Sequence, residues 1–345
     1  MKGGIAAARI AILAVGLLII TQSHPASPQS ADGFGGKTIR LYIGTGPGGG
    51  YDIYGRLVAR HIGRQLPGHP AVVAQNMPGA SSLTLTNFLF NQAPRDGTAI
   101  GIINQAMPTE QYLLDTNIHY DAGKFNWIGR VSSAVEMAIV WHTVPVNSIE
   151  DVLRRETIMG GTGPTSSTVF VPYLLNNLAG TRFKVITGFN GTTDIALAME
   201  RGEIEGSATP LESLTSYRAN WVRDNKIRIL LQYTAERDSE LPDIPTMVEM
   251  GKTEEARRIL GFFAGAAAIG RSIVAPPAMP ADTVKTLRRA FDAMLGDPAF
   301  LDEAKRAAIQ LKPLAGERLQ QLIAGVADFP PSLIQKARLA RERPN

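Results

Sequence analysis

The residues best suited to chemistry lie in a glycine-rich loop near the start of the chain, GTGPGGG at 44–50. A short apolar run at 39–43 precedes this loop, and apolar residues at helical spacing follow it. A strand, a glycine loop and a helix start present backbone N–H groups and the positive end of a helix to an anion. Glycine is needed because only a residue without a Cβ lets the backbone approach a ligand closely. We therefore predict an anion-binding loop, with Asp52 as the N-cap of the helix.

A second loop of the same kind, GGTGPTSST at 160–168, follows an apolar pair and precedes another helical pattern. Its hydroxyl groups can donate hydrogen bonds to an anion, or they can simply cap the helix. The residues alone leave both interpretations open. Further polar stretches end predicted strands at 76–82, at Asn104, at 188–194 and at Thr209. Ligands of α/β proteins bind at the carboxyl ends of strands, so these stretches are expected to face one site.

Strands and helices must position these loops. Apolar runs at 39–43, 71–75 and 99–103 alternate with helical patterns. Alternation of this length predicts a parallel α/β sheet with its polar loops at one edge.

The middle of the chain has a different pattern. Apolar runs at 127–131 and 136–141 follow each other without a long helix, as expected where a chain crosses between lobes. A later strand is predicted at 227–232, and the proline-rich turn at 241–246 is a candidate for the return crossing. Amphipathic helices are predicted from Thr283 onward.

Nucleotide-binding motifs can be weighed against the first loop. Gly44, Gly46 and Gly49 satisfy the spacing G-x-G-x-x-G of dinucleotide-binding folds. Those folds need an acid at the end of the second strand to bind the ribose, and Gln75 and Asn76 occupy that place. A P-loop needs Lys followed by Ser or Thr after the glycines, and this sequence has neither pair there. Neither motif is therefore supported.

Catalytic and metal-binding patterns are also missing from the sequence. There is no G-x-S-x-G nucleophile elbow, and the five histidines are scattered without metal-ligand spacing. The absence of cysteine excludes thiol chemistry and lipid attachment at a cysteine. The polar loops contain almost no Lys or Arg and no acid–base pair. We therefore predict binding without catalysis, and no catalytic residue, metal or cofactor.

Length and composition bound the class of protein. A chain of 345 residues predicts two domains, and a net charge of +4 without a basic run argues against a nucleic-acid partner. Lys2 and Arg9 precede an apolar segment at 10–20, which is too short to span a bilayer comfortably. This order predicts a signal peptide at 1–31 and a mature protein that is soluble outside the cytoplasm. An uncleaved signal anchor is the alternative.

Several segments occur in the order that is typical of one known family: GTGPGGGYDIYGRLVARHI, VVAQNMPGASS, APRDGTAIG, GGTGPTSST and LPDIPTMVEMG. From about residue 37 to 330 the chain strongly resembles the extracytoplasmic solute receptors of tripartite tricarboxylate transporters, the TctC or Bug receptors. The resemblance implies a two-lobed α/β periplasmic-binding-protein fold of type II, with two crossing segments that form a hinge. It also implies that residues 33–132 and 246–345 form lobe I and that 133–245 form lobe II.

The resemblance implies a function as well. The expected protein is a periplasmic receptor that captures a small carboxylate, such as a di- or tricarboxylate, an amino acid or an aromatic acid, and delivers it to membrane permease subunits. An extracytoplasmic sensor that feeds a signalling partner is the alternative, and an exported enzyme acting on an acid is a third class. The receptor is expected to be a monomer.

The resemblance also places one ligand carboxylate between the two glycine loops, with the cleft between the lobes. Together with the polar strand ends, the expected ligand-binding residues are Gly46, Pro47, Gly48, Gly49, Asp52, Pro78, Gly79, Ala80, Ser81, Asn104, Thr162, Gly163, Thr165, Ser166, Ser167, Asn190, Gly191 and Thr209. The chain departs from the family pattern at 189–191, at Asp194 and over 251–276, so the resemblance does not name the carboxylate.

Overall fold

The computed structural model describes residues 33–114, 116–163, 166–189, 191–212, 214–215 and 218–344. The predicted signal peptide therefore lies outside the described residues. Within these ranges the chain forms eleven strands and twelve α-helices. The strands are β1 Thr38–Ile43, β2 Ala71–Asn76, β3 Ala99–Ile102, β4 Asn126–Ser132, β5 Glu136–Trp141, β6 Thr157–Gly160, β7 Phe183–Ile186, β8 Gly206–Pro210, β9 Ile227–Gln232, β10 Arg271–Ala275 and β11 Leu314–Ala315.

The helices connect these strands and cover both sheets. They are α1 Gly50–Ile62, α2 Leu83–Asn91, α3 Met107–Leu113, α4 Ile149–Arg154, α5 Ser167–Ala179, α6 Thr192–Glu200, α7 Ala219–Arg223, α8 Glu254–Ile269, α9 Ala281–Leu295, α10 Pro298–Arg306, α11 Gly316–Ala327 and α12 Pro331–Ala340.

The first sheet has the strand order β11-β4-β10-β3-β1-β2. Strands β2, β1 and β3 are parallel, as the alternating pattern predicts, and β10 is antiparallel to both of its neighbours. Ile39, Leu41 and Ile43 of β1 are fully buried and belong to the same core cluster as Leu57 and Val58 of α1. This packing fixes the glycine loop between β1 and α1 at the end of a central strand.

The second sheet has the strand order β7-β6-β8-β5-β9. Strands β7, β6 and β8 are parallel, and β5 is antiparallel to both β8 and β9. The loop between β6 and α5 therefore has the same place in this sheet that the loop between β1 and α1 has in the first. Two separate sheets with equivalent loops agree with the predicted two-lobed α/β architecture.

The atypical segment at 251–276 forms a long helix and a central strand. Thr253 caps α8 by accepting a hydrogen bond from the Ala256 backbone. The buried residues of α8, such as Ile259 and Phe263, join the core cluster of the second sheet, as does Ala337 of α12. After α8 the chain re-enters the first sheet as β10, which the sequence analysis did not predict as a strand.

The two connections between the sheets run side by side. The first follows β4, and the Ala134 N–H there donates to the Ala267 carbonyl at 3.0 Å. The second passes through Gly270, where a Cβ would lie 2.2 Å from the Ser132 carbonyl oxygen. The proline-rich turn at 241–246 remains tied to β9, since the Gln232 side chain donates to two of its carbonyls. The lobe boundaries predicted from the sequence remain predictions.

Candidate ligand-binding cleft

A cleft of about 360 Å³ lies between the two sheets and is lined by residues from both of them. This volume is in the range of small-molecule sites. The first sheet and its loops contribute Thr45, Gly49, Tyr51, Gln105 and Arg271, among others. The second contributes Glu136, Thr162, Ser166, Ser167, Glu212 and Tyr233, among others.

The cleft brings together part of the predicted site. Residues from four predicted loops or strand ends line it: Gly49, Ser81, Asn104, Thr162, Ser166 and Ser167. The loop after β1 and the loop after β6 thus face each other across the cleft.

Other predicted residues do not line this cleft. They are Gly46, Pro47, Gly48, Asp52, Pro78, Gly79, Ala80, Gly163, Gly191 and Thr209. Gly48 instead borders a neighbouring cavity of about 450 Å³, which Gly49 and Thr192 also line. Thr165 and Asn190 lie outside the described residues.

Asp52 holds the first loop in place through a hydrogen bond to the loop backbone. The prediction that Asp52 is the N-cap of α1 is wrong. Gly49 is the N-cap, so Asp52 is the third residue of α1. Its carboxylate is buried and accepts hydrogen bonds from the Gly48 N–H at 2.9 Å, Arg56 Nε at 3.0 Å and Asn76 Nδ2 at 2.8 Å. Burial alone would raise the pKa of Asp52, but these bonds outweigh it and hold the pKa below its ordinary value.

The loop at 78–82 packs directly against the first loop, as the sequence predicted. A Cβ on Gly44 would lie 1.6 Å from Ser82 Oγ, so only glycine permits this approach. Ala80, Ser81 and Ser82 all have positive φ. Ser81 lines the cleft, whereas Pro78 and Gly79 do not.

Hydroxyl groups organise the second loop internally. Thr168 Oγ1 accepts a hydrogen bond from the Thr162 N–H at 3.1 Å and lies 2.8 Å from Ser166 Oγ. Ser166 is the N-cap of α5 and accepts from the Thr168 N–H. Of the two interpretations that the sequence left open, capping is therefore confirmed for Ser166. Thr168, which also lines the cleft, is a site residue that the sequence analysis missed.

A buried charged cluster is the largest departure from the predicted site. Arg271 Nη2 donates to Glu212 Oε1 in an ion pair that connects the two sheets. The Arg271 guanidinium also lies over the Tyr51 ring, 4.2 Å from its centroid. The Tyr51 hydroxyl accepts a hydrogen bond from the Gln105 N–H at 2.9 Å. The polar loops themselves contain no acid–base pair and almost no Lys or Arg, but strand ends outside the loops bring Glu136, Glu212 and Arg271 into the cleft.

The surroundings of this cluster change the acidity of its members. Burial raises the pKa of the Glu136 carboxyl, and a hydrogen bond with Ser167 and the charge of Arg271 only partly oppose that rise. Burial likewise raises the pKa values of Tyr51 and Tyr233. Burial alone would lower the pKa of Arg271, but Glu212 and the neighbouring acidic groups raise it, so the guanidinium stays charged.

Four buried polar atoms of residues that line the cleft have no hydrogen-bond partner among the described residues. They are Thr45 Oγ1, Gln105 Oε1, Tyr233 Oη and Arg271 Nε. An unpaired buried donor or acceptor is costly, by about 1–3 kcal/mol. These atoms are therefore suited to pair with a polar ligand.

The comparison with family models agrees with this geometry. Residues 55–339 match the model of the tripartite tricarboxylate transporter family receptor, TctC. The chain belongs to this family. A Cupriavidus necator protein described as "UPF0065 protein in gbd 5'region" is 25% identical over 347 residues, covering 99% of this chain and 97% of the relative.

Solved structures show the same fold. This TctC-family chain matches R. palustris Rpa4515 with adipate at a TM-score of 0.64 and 18% identity, covering 87% of this chain and 97% of that one. It matches MatC from Rhodopseudomonas palustris with bound malate at a TM-score of 0.61 and 17% identity, covering 88% and 99%. The predicted two-lobed periplasmic-binding-protein fold is confirmed.

The described residues contain neither a membrane-spanning helix nor a cluster of metal ligands. No helix in these ranges is both long and apolar enough to cross a membrane. Over the same part of the chain, His, Asp and Glu side chains form no group of three or more that could hold a metal ion.

Proposed function

We propose that this TctC-family receptor captures a small carboxylate in the cleft between its two sheets and delivers it to membrane permease subunits. The observation that carries the proposal is the pairing of two equivalent strand–loop–helix units across one cleft. Helices α1 and α5 begin at that cleft, and a helix N-terminus favours negative charge. Two relatives of the same fold have structures with adipate and malate.

We also propose that the cleft binds its ligand without transforming it. Glu212 is held in an ion pair with Arg271. No histidine lines the described cleft, so the serine and threonine hydroxyls there have no imidazole beside them to act as a base. A site of this kind orients a ligand through fixed donors and acceptors.

Closure of the two lobes over the ligand is part of the proposal. The connections near Ala134 and Gly270 lie side by side at the cleft, which is where a hinge between residues 33–132 with 246–345 and residues 133–245 would bend. The predicted site residues outside the main cleft, including Gly48 and Gly191, would then approach the ligand only in another state of closure. The protein is proposed to act in the periplasm after removal of residues 1–31.

A thermal-shift screen tests the proposed function. The purified protein is heated with mono-, di- and tricarboxylates, aromatic acids, amino acids and, as a comparison class, neutral sugars. A ligand that binds only the folded protein raises the melting temperature according to ln(1 + [L]/Kd). We expect at least one acid to raise it, and the Ala106→Trp variant, which puts a large side chain at the lining of the cleft, to lose that response.

A response to sugars but not to any acid would contradict the proposed ligand class. Delivery to a permease is tested separately, by measuring uptake of the acid into cells that have or lack this receptor. Unchanged uptake in cells that lack the receptor would instead favour a sensor.

A further inference from the structure

Three charged side chains distinguish this cleft from the neutral anion site that its glycine loops predict. Among the described lining residues, Glu136, Glu212 and Arg271 are the ones with a formal charge. Glu212 and Arg271 are 8% and 4% exposed, so they are held away from bulk water. Charged groups at such positions govern which ligands can enter, because interactions between charges are strong where water is excluded.

One of the protein's own carboxylates lies at a helix start. Glu212 Oε1 lies 3.0 Å from the position that a Cβ on Gly50 would take, so this carboxylate rests against the first residue of α1. Glu136 lines the same cleft as Ser167, the first residue of α5. The positive end of α1 therefore already has an acidic partner, and a second ligand carboxylate would have to share it with Glu212.

The net charge of the three side chains also disfavours a dicarboxylate ligand. With both acids ionised, the three side chains carry a net charge of −1 (1 − 2). A dicarboxylate would bring two further negative charges into the same buried volume, and like charges at short range are destabilising. The cleft therefore suits a ligand of low net charge.

The buried polar atoms without a partner indicate which other groups the ligand carries. Gln105 Oε1 is a buried acceptor without a described partner, and it lies in the same cleft as the two carboxylates. Gln105 Oε1 and the two carboxylates would pair with a ligand group that has several N–H or O–H donors. On the donor side, Arg271 Nε–H and the Tyr233 hydroxyl have no described partner, and both residues are more than nine-tenths buried. A carboxylate accepts from such groups.

We propose that the ligand is a monocarboxylate that carries an ammonium group, and that Glu136, Glu212 and Arg271 select it over dicarboxylates. The ammonium is recognised by the acidic side chains and Gln105, and the carboxylate by Arg271 and Tyr233. This inference rests on the proposed function, because it names the class of acid that the same cleft takes.

Calorimetric titration of the purified protein with matched acids tests the inference. Succinate, 4-aminobutanoate, 4-hydroxybutanoate and butanoate share one chain length, as do adipate, 6-aminohexanoate and hexanoate; 2-aminobutanoate places the ammonium beside the carboxylate. We expect an ammonium-bearing acid to bind at least about tenfold more tightly than the dicarboxylate and the unsubstituted monocarboxylate of its length.

Variants connect the preference to the named residues. Glu136→Gln should reduce the preference for the ammonium by about tenfold. Glu136→Asp, which retains the charge, should preserve most of it. Glu156→Gln replaces an exposed acid away from the cleft and should change nothing. The wild-type series alone decides the ligand class, so the test stands even where a variant fails to fold.

Two failures can be told apart. Tighter binding of succinate or adipate than of their amino counterparts would overturn the inference and leave the proposed function intact. Equal binding of the amino, hydroxyl and unsubstituted acids would also overturn the inference and leave the proposed function intact. Absence of binding by every acid would overturn the proposed function and the inference together.

Discussion

Arg271 and Glu212 form a buried ion pair that joins the first sheet to the second across the cleft. Arg271 is the first residue of β10, and Glu212 follows the end of β8 by two residues. The ring of Tyr51, from the start of α1, stacks on the guanidinium. The pair therefore connects the two lobes at the place where the ligand is proposed to bind.

Stability should depend on this pair in a non-additive way. Removing one member leaves a buried charge without a partner, so Glu212→Gln and Arg271→Met are each expected to lower the free energy of unfolding by about 3–5 kcal/mol. The double variant should lose less than the sum of the two, because no unpaired charge remains. Urea denaturation of the four proteins measures the coupling. Additive losses would show that the two charges do not interact.

Asp52 should stabilise the glycine loop in a pH-dependent way. The carboxylate accepts hydrogen bonds from Gly48, Arg56 and Asn76, so Asp52→Asn is expected to cost about 1–3 kcal/mol at neutral pH. Because the pKa is lowered on folding, this contribution is complete above the unfolded value of about 3.9 and is lost as the pH falls through the folded value.

The measurement is urea denaturation of wild type and Asp52→Asn between neutral pH and acid. Their stability difference should be constant at neutral pH and should shrink below about pH 4. Asp302→Asn, at an exposed position on α10, is the control and should show no such difference. A difference that grows toward acid would contradict the role given to Asp52.

Two buried threonines offer a matched test of the second loop. Thr168 Oγ1 accepts the Thr162 N–H and bonds with Ser166, so Thr168→Val should lower the free energy of unfolding by about 1–2 kcal/mol and weaken ligand binding. Thr157 is fully buried, and its hydroxyl has no partner among the described residues. Thr157→Val should therefore leave stability unchanged or raise it. Equal losses for the two variants would argue against the hydroxyl network.

Gly270 should be required where the two connections between the sheets meet. Its φ is +55°, and a Cβ would collide with the Ser132 carbonyl at 2.2 Å. Gly270→Ala is therefore expected to lower the free energy of unfolding by at least about 2 kcal/mol. Gly325→Ala, in α11 with open space around it, should instead raise it by about 0.5–1 kcal/mol. Thermal melts of both variants check the signs, and a stabilised Gly270→Ala would contradict this description of the crossing.

Much of the fold follows from local patterns, and much of the site does not. The strands β1 to β3 and the helix α1 are predictable because their apolar periodicity agrees with their packing in the core. The strand β10 was missed because it is five residues long and follows a helix rich in alanine and glycine. The N-cap prediction for Asp52 failed because the helix begins at Gly50, so its N-cap is Gly49, three residues before Asp52.

The charged cluster could not be predicted from spacing. Glu136, Glu212 and Arg271 are separated by more than 50 residues along the chain, and none lies in a glycine loop. Their meeting depends on the antiparallel insertion of β10 and on the facing of the two sheets, which are tertiary features. The one available signal was an arginine placed inside the apolar run that begins β10, where a charge is unexpected unless it has a partner.

A crystal structure of the purified protein with the tightest-binding acid of the screen would show where the ligand binds. We expect the acid to occupy the cleft between the sheets, with a carboxylate in contact with Arg271 and with the loop that contains Thr162 and Ser166. An acid bound elsewhere on the protein, with this cleft unchanged, would contradict it.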